Sequence, residues 1–309
     1  MHSWIRRSGT ADDPAPPQAP VPAGARGLHA IPAAWAFWRR LRRHRLAMAG
    51  AVITLAMALF ALLLPYVVTA DPTAIDVRHI LASPSASHWF GTDDFGRDLL
   101  ARVVYGTRLS LLVGFSVLVV TGLLGGLSGL IAGYFPLTDA FVMRFMDALM
   151  AFPAILLALT IMAVAGPATI NVVAALGIAY SPRMARLARA AVLSVRTREY
   201  IDAARALGAS GARVLVRHII PNALAPLIVQ GTFTFAYAIL GEAALSFVGL
   251  GAVPPAPSLG NILTDARAVL RDAPWMIAFP SLTLTVTILG LNLFGDGIRD
   301  VLDPRMRVN

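Results

Sequence analysis

Glu199 to Asn222 reads EYIDAARALGASGARVLVRHIIPN. The pattern predicts two short helices: Thr197 is placed to cap the first, Gly208 to end it in the left-handed conformation, and Ser210 to cap the second, which stops before Pro221. Tyr200, Ile201, Ala204 and Leu207 would form an apolar face on the first helix, and Val214, Leu215 and Ile219 one on the second. Such an amphipathic pair suits a groove on a partner. It sits in a strongly basic segment that carries Arg183, Arg186, Arg189, Arg196, Arg198, Arg205, Arg213 and Arg217. On either side lie apolar runs, Ile170 to Ala191 and Leu224 to Val248. A hydrocarbon core takes about 20 apolar residues per helix, so the hairpin reads as a polar loop between two membrane spans.

The same reading continues outward. Leu46 to Val68, Leu109 to Tyr134, Asp147 to Val164 (which contains Pro153) and Trp275 to Phe294 (which contains Pro280) are further apolar runs. The expectation is an all-α polytopic membrane protein with six transmembrane helices. Its segments are a disordered tail (1–34, with Pro14, Pro16, Pro17, Pro20 and Pro22), a basic flank and first span (35–68), a polar external segment (69–108), a transmembrane core (109–294) containing the loop 194–221, and a short tail (295–309). The first segment has no apolar h-region with a cleavage site, so the first span is read as an uncleaved signal. The cluster Arg39, Arg40, Arg42, Arg43, His44 and Arg45 predicts a cytoplasmic N-terminus, and six spans return the C-terminus to the same side. That orientation puts twenty of the 26 basic residues inside and six outside, namely Arg78, Arg97, Arg102, Arg108, Arg267 and Arg271.

Composition agrees and narrows the function classes. Of the 309 residues 57% are hydrophobic and 14% charged, with a mean hydropathy of +0.69, whereas about a quarter of a soluble domain is charged. Every basic residue is arginine; without lysine there is no Walker A loop and no Schiff-base chemistry. Cysteine is absent, which excludes thiolate nucleophiles and Cys-ligated metal. The net charge of +9 follows from the side-specific placement of arginine, and no nucleic-acid partner is expected.

Gly122 and Gly126, and on an adjoining line Gly125, Gly129 and Gly133, recur every four residues through the second span and predict close helix packing. Gly126-Leu127-Ser128-Gly129 also matches the G-x-S-G of intramembrane serine proteases, but all six histidines (His2, His29, His44, His79, His88, His218) lie in tails or loops, leaving no base at depth. H-E-x-x-H is absent, so a zinc protease of that type has no ligand set. Ionisable groups within spans are few: Glu242 is read as an end-of-span carboxylate bonded to a neighbour, and Arg144 with Asp147 as a local i, i+3 pair. A proton-coupled transporter would show more. Gln230, Thr232 and Thr234 in the fifth run and Thr283, Thr285, Thr287 and Asn292 in the sixth could line an aqueous path or bond within the bundle. Arg183, Arg186 and Arg189 are expected at headgroup level, against anionic lipid or a partner.

Asp202-Ala203-Ala204-x-x-x-Gly208 followed by Pro221 resembles the E-A-A-x-x-x-G signature of permease subunits of bacterial ABC importers. Asp202 replaces the usual Glu, and His218 stands where an aliphatic residue is common. Residues 91–110 (GTDDFGRDLLARVVYGTRLS), 242–251 (EAALSFVGLG, with Pro254, Pro255, Pro257 and Ser258) and 292–305 (NLFGDGIRDVLDPR) resemble the C-type permease of dipeptide and oligopeptide importers. The similarity runs from about Arg39 to Arg307. It implies a type I ABC importer permease fold in a bacterial inner membrane. It further implies that Glu199, Asp202, Ala203, Ala204, Arg205, Leu207, Gly208, Arg213, Arg217 and Pro221 belong to a coupling helix that meets a separate ATPase. The implied partners are a second, B-type permease, two ATPase subunits that hold ATP and Mg²⁺, a periplasmic or extracellular solute-binding protein, and membrane lipid. This chain itself is expected to carry no catalytic residue, cofactor or metal. Nickel, glutathione and opine importers share these motifs, and a secondary transporter or channel that works without an ATPase is the remote alternative.

Overall fold

The computed structural model describes residue 39, residues 41–67 and residues 70–302. The expected disordered tail, Arg40, Val68, Thr69, Arg305 and Arg307 lie outside them. The described residues are helical, with no strand and one isolated antiparallel bridge between Thr92 and Asp98.

In lipid every backbone polar group must be satisfied within the chain, which favours uninterrupted helices. Helix α1 is Arg45–Val67. After a polar arc with one 3₁₀ turn at Val77–His79, α2 (Leu99–Thr121) starts at Asp98, whose carboxylate accepts the Ala101 amide at 2.8 Å. A π segment, Gly122–Gly126, joins α2 to α3 (Leu127–Tyr134), giving one 36-residue element. At 1.5 Å per residue it is roughly 54 Å long, well beyond a 30 Å hydrocarbon core. Its far end therefore projects towards the hairpin. Next come α4 (Pro136–Met150), α5 (Ala154–Ala165), α6 (Thr169–Arg196), α7 (Glu199–Ala206) and α8 (Gly211–Val214). A second π segment, Leu215–Ile219, runs into α9 (Ile220–Phe247), and α10 (Leu259–Ala266) and α11 (Trp275–Leu302) complete the chain.

By length and apolarity alone, four or, with one bent pair counted as a single span, five crossing elements stand out among the described residues. Four elements are long and apolar enough to cross a membrane: α1, α2–α3, α8–α9 and α11. The expected third span is instead two helices bent by 86° at the break before Ala154, because Pro153 has no amide hydrogen and its ring clashes with a preceding turn. Helix α5 alone, 12 residues, would be roughly 18 Å long. Helix α6 has 28 residues, but its arginines set it apart from the apolar set. Other boundaries move as well: a further helix, α4, begins at Pro136 between the second and third expected runs, the external segment ends in helix from Leu99, and α11 extends past Phe294 to Leu302.

The core lies where α2, α5, α6 and α9 meet, around Val113, Val117, Met162, Leu176, Ala238 and Leu245. Close approach of the α2–α3 element to α6 depends on two glycines. A Cβ on Gly125 would lie 2.2 Å from the Ser181 carbonyl oxygen, and one on Gly129 2.1 Å from that of Ala185. Gly133 is nearly as tight, against Val192. Gly122 and Gly126, the other line, have nothing within 4 Å, so the two lines face different surroundings.

Candidate coupling surface and translocation groove

The hairpin is half anchored and half free. Ile201, Val214 and Ile219 are fully buried in one cluster with Leu130 of α3, Ala188, Val192 and Val195 of α6, and Ala223 of α9. The Tyr134 hydroxyl donates to the Gly211 carbonyl at 2.8 Å, and Arg196 donates to the Gly133 and Tyr134 carbonyls at 3.3 and 3.4 Å. A cation at the C-terminus of α3 also meets its negative dipole end. Gly208 (φ +83°) closes α7: its amide donates to Arg205 and the Ala209 amide to Ala204, the paired bonds of a Schellman turn. Outward face Asp202, Ala203, Arg205, Ala206 and Leu207, the last 89% exposed.

Several expectations change here. Thr197 does not cap α7; Arg198 occupies that position, and the Thr197 hydroxyl donates to the Ser194 carbonyl. The second short helix does not stop before Pro221, because a proline in the first turn of α9 costs no hydrogen bond and the π segment carries the chain through. Tyr200 and Leu207 are exposed rather than packed. Arg205 lies 3.5 Å from the Asp202 carboxylate on the same helix, while Glu199, Arg213, Arg217 and Pro221 are exposed. His218 tilts against Tyr200, ring centroids 6.4 Å apart.

Helices α6 and α4 are tied by ions. Arg189 grips Asp139 with two bonds of 2.5 and 2.6 Å, and Arg186 donates to Asp147 at 2.6 Å. Asp147 is therefore the partner of Arg186, not of Arg144, and two of the three arginines assigned to lipid headgroups serve an internal contact. Arg183 instead lies over the Tyr237 ring, 6.0 Å from its centroid.

Along α6 and α9 runs a groove. Its wider part, about 600 Å³, is lined by Ser194, Arg198, Asn222, Gln230 and Arg299 among apolar residues. Its inner part, about 240 Å³, is lined by Gln230, Thr234, Tyr180, Tyr237, Arg183 and the break at Phe152-Pro153. Gln230 belongs to both. Thr283, Thr287 and Asn292 line neither; Thr283 and Thr287 donate to the carbonyls of Phe279 and Thr283 in their own helix, at 2.8 and 2.7 Å.

A family model described as the binding-protein-dependent transport system inner membrane component matches residues 122–308, and a second, the N-terminal TM domain of oligopeptide transport permease C, matches residues 34–84. The chain belongs to this permease family. A dipeptide transport system permease protein of Alkalihalophilus pseudofirmus is 44% identical over 87% of this chain and 89% of its own length. A di/tripeptide transport system permease protein of Pseudomonas aeruginosa is 41% identical over 88% and 92%. In fold the permease is similar to a chain of an inward-facing methionine ABC transporter, with a TM-score of 0.55 and 20% identity over 65% of this chain and 97% of that one. The protein is thus a multi-pass inner-membrane permease subunit of an ABC importer, a family that works with an ATPase and a binding protein.

At the end of the permease opposite the hairpin lies a site that sequence reasoning did not single out. Asp93 is fully buried and accepts Arg97 Nε at 2.7 Å, the Phe95 and Arg97 amides at 2.9 Å each, and Nη1 of the buried Arg102. Arg102 also reaches Asp265 of α10 at 3.5 Å. Burial, together with Asp93 and Asp265, pushes the Asp94 carboxyl up, with Arg97 partly opposing. Nearby, Glu242 is buried and accepts the hydroxyls of Ser110 and Ser246 at 2.7 Å each. The motif GTDDFGRD carried the signal, but only the fold shows that its charges meet α10.

Proposed function

We propose that this permease is one of the two membrane subunits of an importer for dipeptides or oligopeptides, and that the α7–α8 hairpin is where an ATPase drives it. The observation that carries the reading is the division of the hairpin: Ile201, Val214 and Ile219 fix it to α3, α6 and α9, while Ala203, Leu207 and Asp202 face outward. A partner that moves α7 would therefore move three long helices as a body. Small alanines permit close approach, and Leu207 supplies an apolar anchor for a groove. The names of the relatives, dipeptide and di/tripeptide permeases, support the peptide substrate.

In this reading the hairpin, the N-terminus and the C-terminus are cytoplasmic and the Asp93–Arg102 cluster is external. A B-type permease faces the α6–α9 groove, two ATPase subunits hold ATP and Mg²⁺, and an external solute-binding protein delivers the peptide. ATP binding draws the ATPases together and swings the helices that the hairpin anchors, opening the groove outward; hydrolysis resets it, an alternating-access cycle of rigid-body motion. Gln230 and Thr234 are the polar groups of this chain proposed for the path. ATP hydrolysis belongs to the separate subunits.

The test is a mild-detergent pull-down of the tagged chain from its native cells, with subunits identified by mass spectrometry, for wild type, Leu207→Asp and Gly208→Asp. The wild type should bring down a second permease and ATPases, and the variants should keep the permease and lose the ATPases. A chain recovered alone or as a homo-oligomer, or variants that retain the ATPases, would refute the assignment.

A further inference from the structure

We propose that Arg183, with Gln230, Thr234 and the ring of Tyr237, forms a carboxylate-binding subsite in the inner groove that receives the carboxyl end of a peptide in transit. The inference rests on the peptide-importer reading. Three arginines lie at three-residue spacing on α6, and the structure treats them differently. Arg186 and Arg189 are neutralised by Asp147 and Asp139 of α4. Arg183 makes no ion pair among the described residues; it lies over the face of Tyr237. The ring occupies one side of the guanidinium and leaves N–H donors for a ligand.

Arg183 is exposed and lies half-way along its helix. It lies fourteen residues into α6, roughly 21 Å along its axis, two residues after Ser181, whose carbonyl meets Gly125 in the π segment between α2 and α3. An ionisable group part-way along a helix that lines a groove marks a candidate ion or substrate path. The other polar groups around the pocket are neutral. Gln230 Nε2 reaches Thr234 Oγ1 at only 3.5 Å, and the Tyr180 hydroxyl donates to the Tyr237 carbonyl at 3.3 Å. No carboxylate is among its lining residues. The pocket thus offers one cation and several neutral hydrogen-bonding groups. Its volume of about 240 Å³ is below that of pockets that enclose a whole drug-sized ligand. It fits one end of a short peptide. The groove continues past Gln230 towards Arg198 and Arg299, so a carboxylate leaving Arg183 meets further cations at the wide end. Arg183, Arg198 and Arg299 are all exposed, so a carboxylate can pass from one guanidinium to the next.

The experiment uses the complete transporter, with its second permease, ATPases and binding protein, in proteoliposomes of phosphatidylcholine alone or with added phosphatidylglycerol. ATP-driven uptake of radiolabelled dialanine and ATPase activity stimulated by the loaded binding protein are measured for wild type, Arg183→Gln and Arg183→Lys. Loss of one charge-assisted, bidentate contact should lower uptake by Arg183→Gln about tenfold. Stimulated ATPase should be retained, so that fewer peptides cross per ATP, and Arg183→Lys should recover part of the loss. Unchanged uptake in Arg183→Gln would overturn the subsite. Parallel loss of ATPase in both variants would assign Arg183 to coupling or folding instead. A defect confined to phosphatidylglycerol vesicles would assign it to a lipid headgroup. Failure of the wild-type complex to take up dialanine, while it imports another solute, would instead refute the peptide reading and with it this ligand.

Discussion

Replacement of Arg102 by methionine tests what holds the external end of the permease together. Arg102 is 3% exposed and Asp93 fully buried, and the pair joins the 91–98 loop to α2 and, through Asp265, to α10. Methionine fills much the same space but leaves the buried carboxylate short of one cation. Breaking a buried pair from one side costs about 3–5 kcal/mol. The lower end applies here, because Asp93 keeps Arg97 Nε and two backbone amides. About 3 kcal/mol corresponds to a fall of about 5–10 °C in apparent Tm for a chain of this size. The assay is thermal unfolding of the purified protein in detergent, followed by tryptophan fluorescence. Trp275 donates its indole N–H to the Thr92 carbonyl at 3.2 Å and Trp89 lies in the same arc, so both report on this end. Asp93→Asn should cost a similar amount, and the double variant less than the sum, since each single change strands the other charge. A fall below about 2 °C in Arg102→Met, or strict additivity in the double variant, would refute the argument.

Further outcomes follow from the same contacts. Gly129→Val should destabilise the chain by about 1–3 kcal/mol, through forced separation of α3 and α6, read as a lower Tm; an unchanged Tm would show that the helices yield. Gly126→Ala should leave the Tm of the isolated chain unchanged or higher, because no atom lies within 4 Å and alanine favours helix; loss of the second permease from its pull-down would show that this face is a subunit contact. Ile201→Ser should free the hairpin from its anchor at a cost of about 2–4 kcal/mol, and limited proteolysis should then cut between α7 and α8. Acidification should loosen the 70–80 arc. Asp71 is held below the usual carboxylate range by Thr73, and Asp76 by His79 and the Arg78 amide, so the stability they add is full above the ordinary carboxylate value and lost as pH falls through their lowered values. Asp76→Asn should remove part of the resulting change in Trp89 fluorescence between pH 5 and 3; an identical titration would contradict the assignment.

The sequence made the class of molecule legible because it depends on transfer of side chains into lipid, a nearly additive property of short windows. Apolar runs, Ser210 and Gly208 act within one or two turns, so their local consequences could be foreseen. Contacts between distant segments could not. Nothing near Asp147 in sequence distinguishes Arg144 from Arg186, and three turns of α6 had to be set against α4 before the choice was made. Likewise Thr283 and Thr287 looked as suitable for a path as Gln230 and Thr234. The first pair donates to its own helix, while the second faces the groove between α6 and α9.

What the sequence by itself determined is an all-helical, arginine-rich membrane permease with a polar, amphipathic hairpin. Hydropathy, the bias of arginine and the spacing of glycine, proline and capping residues are local quantities and are complete once the chain is written. What only the tertiary structure decided is which half of that hairpin is anchored, that a proline break turns one expected span into two helices at 86°, and that Asp93, Arg97, Arg102 and Asp265 share one buried cluster. Those features depend on distances between residues up to 172 positions apart, and distance across a fold is set by packing, which no local pattern records.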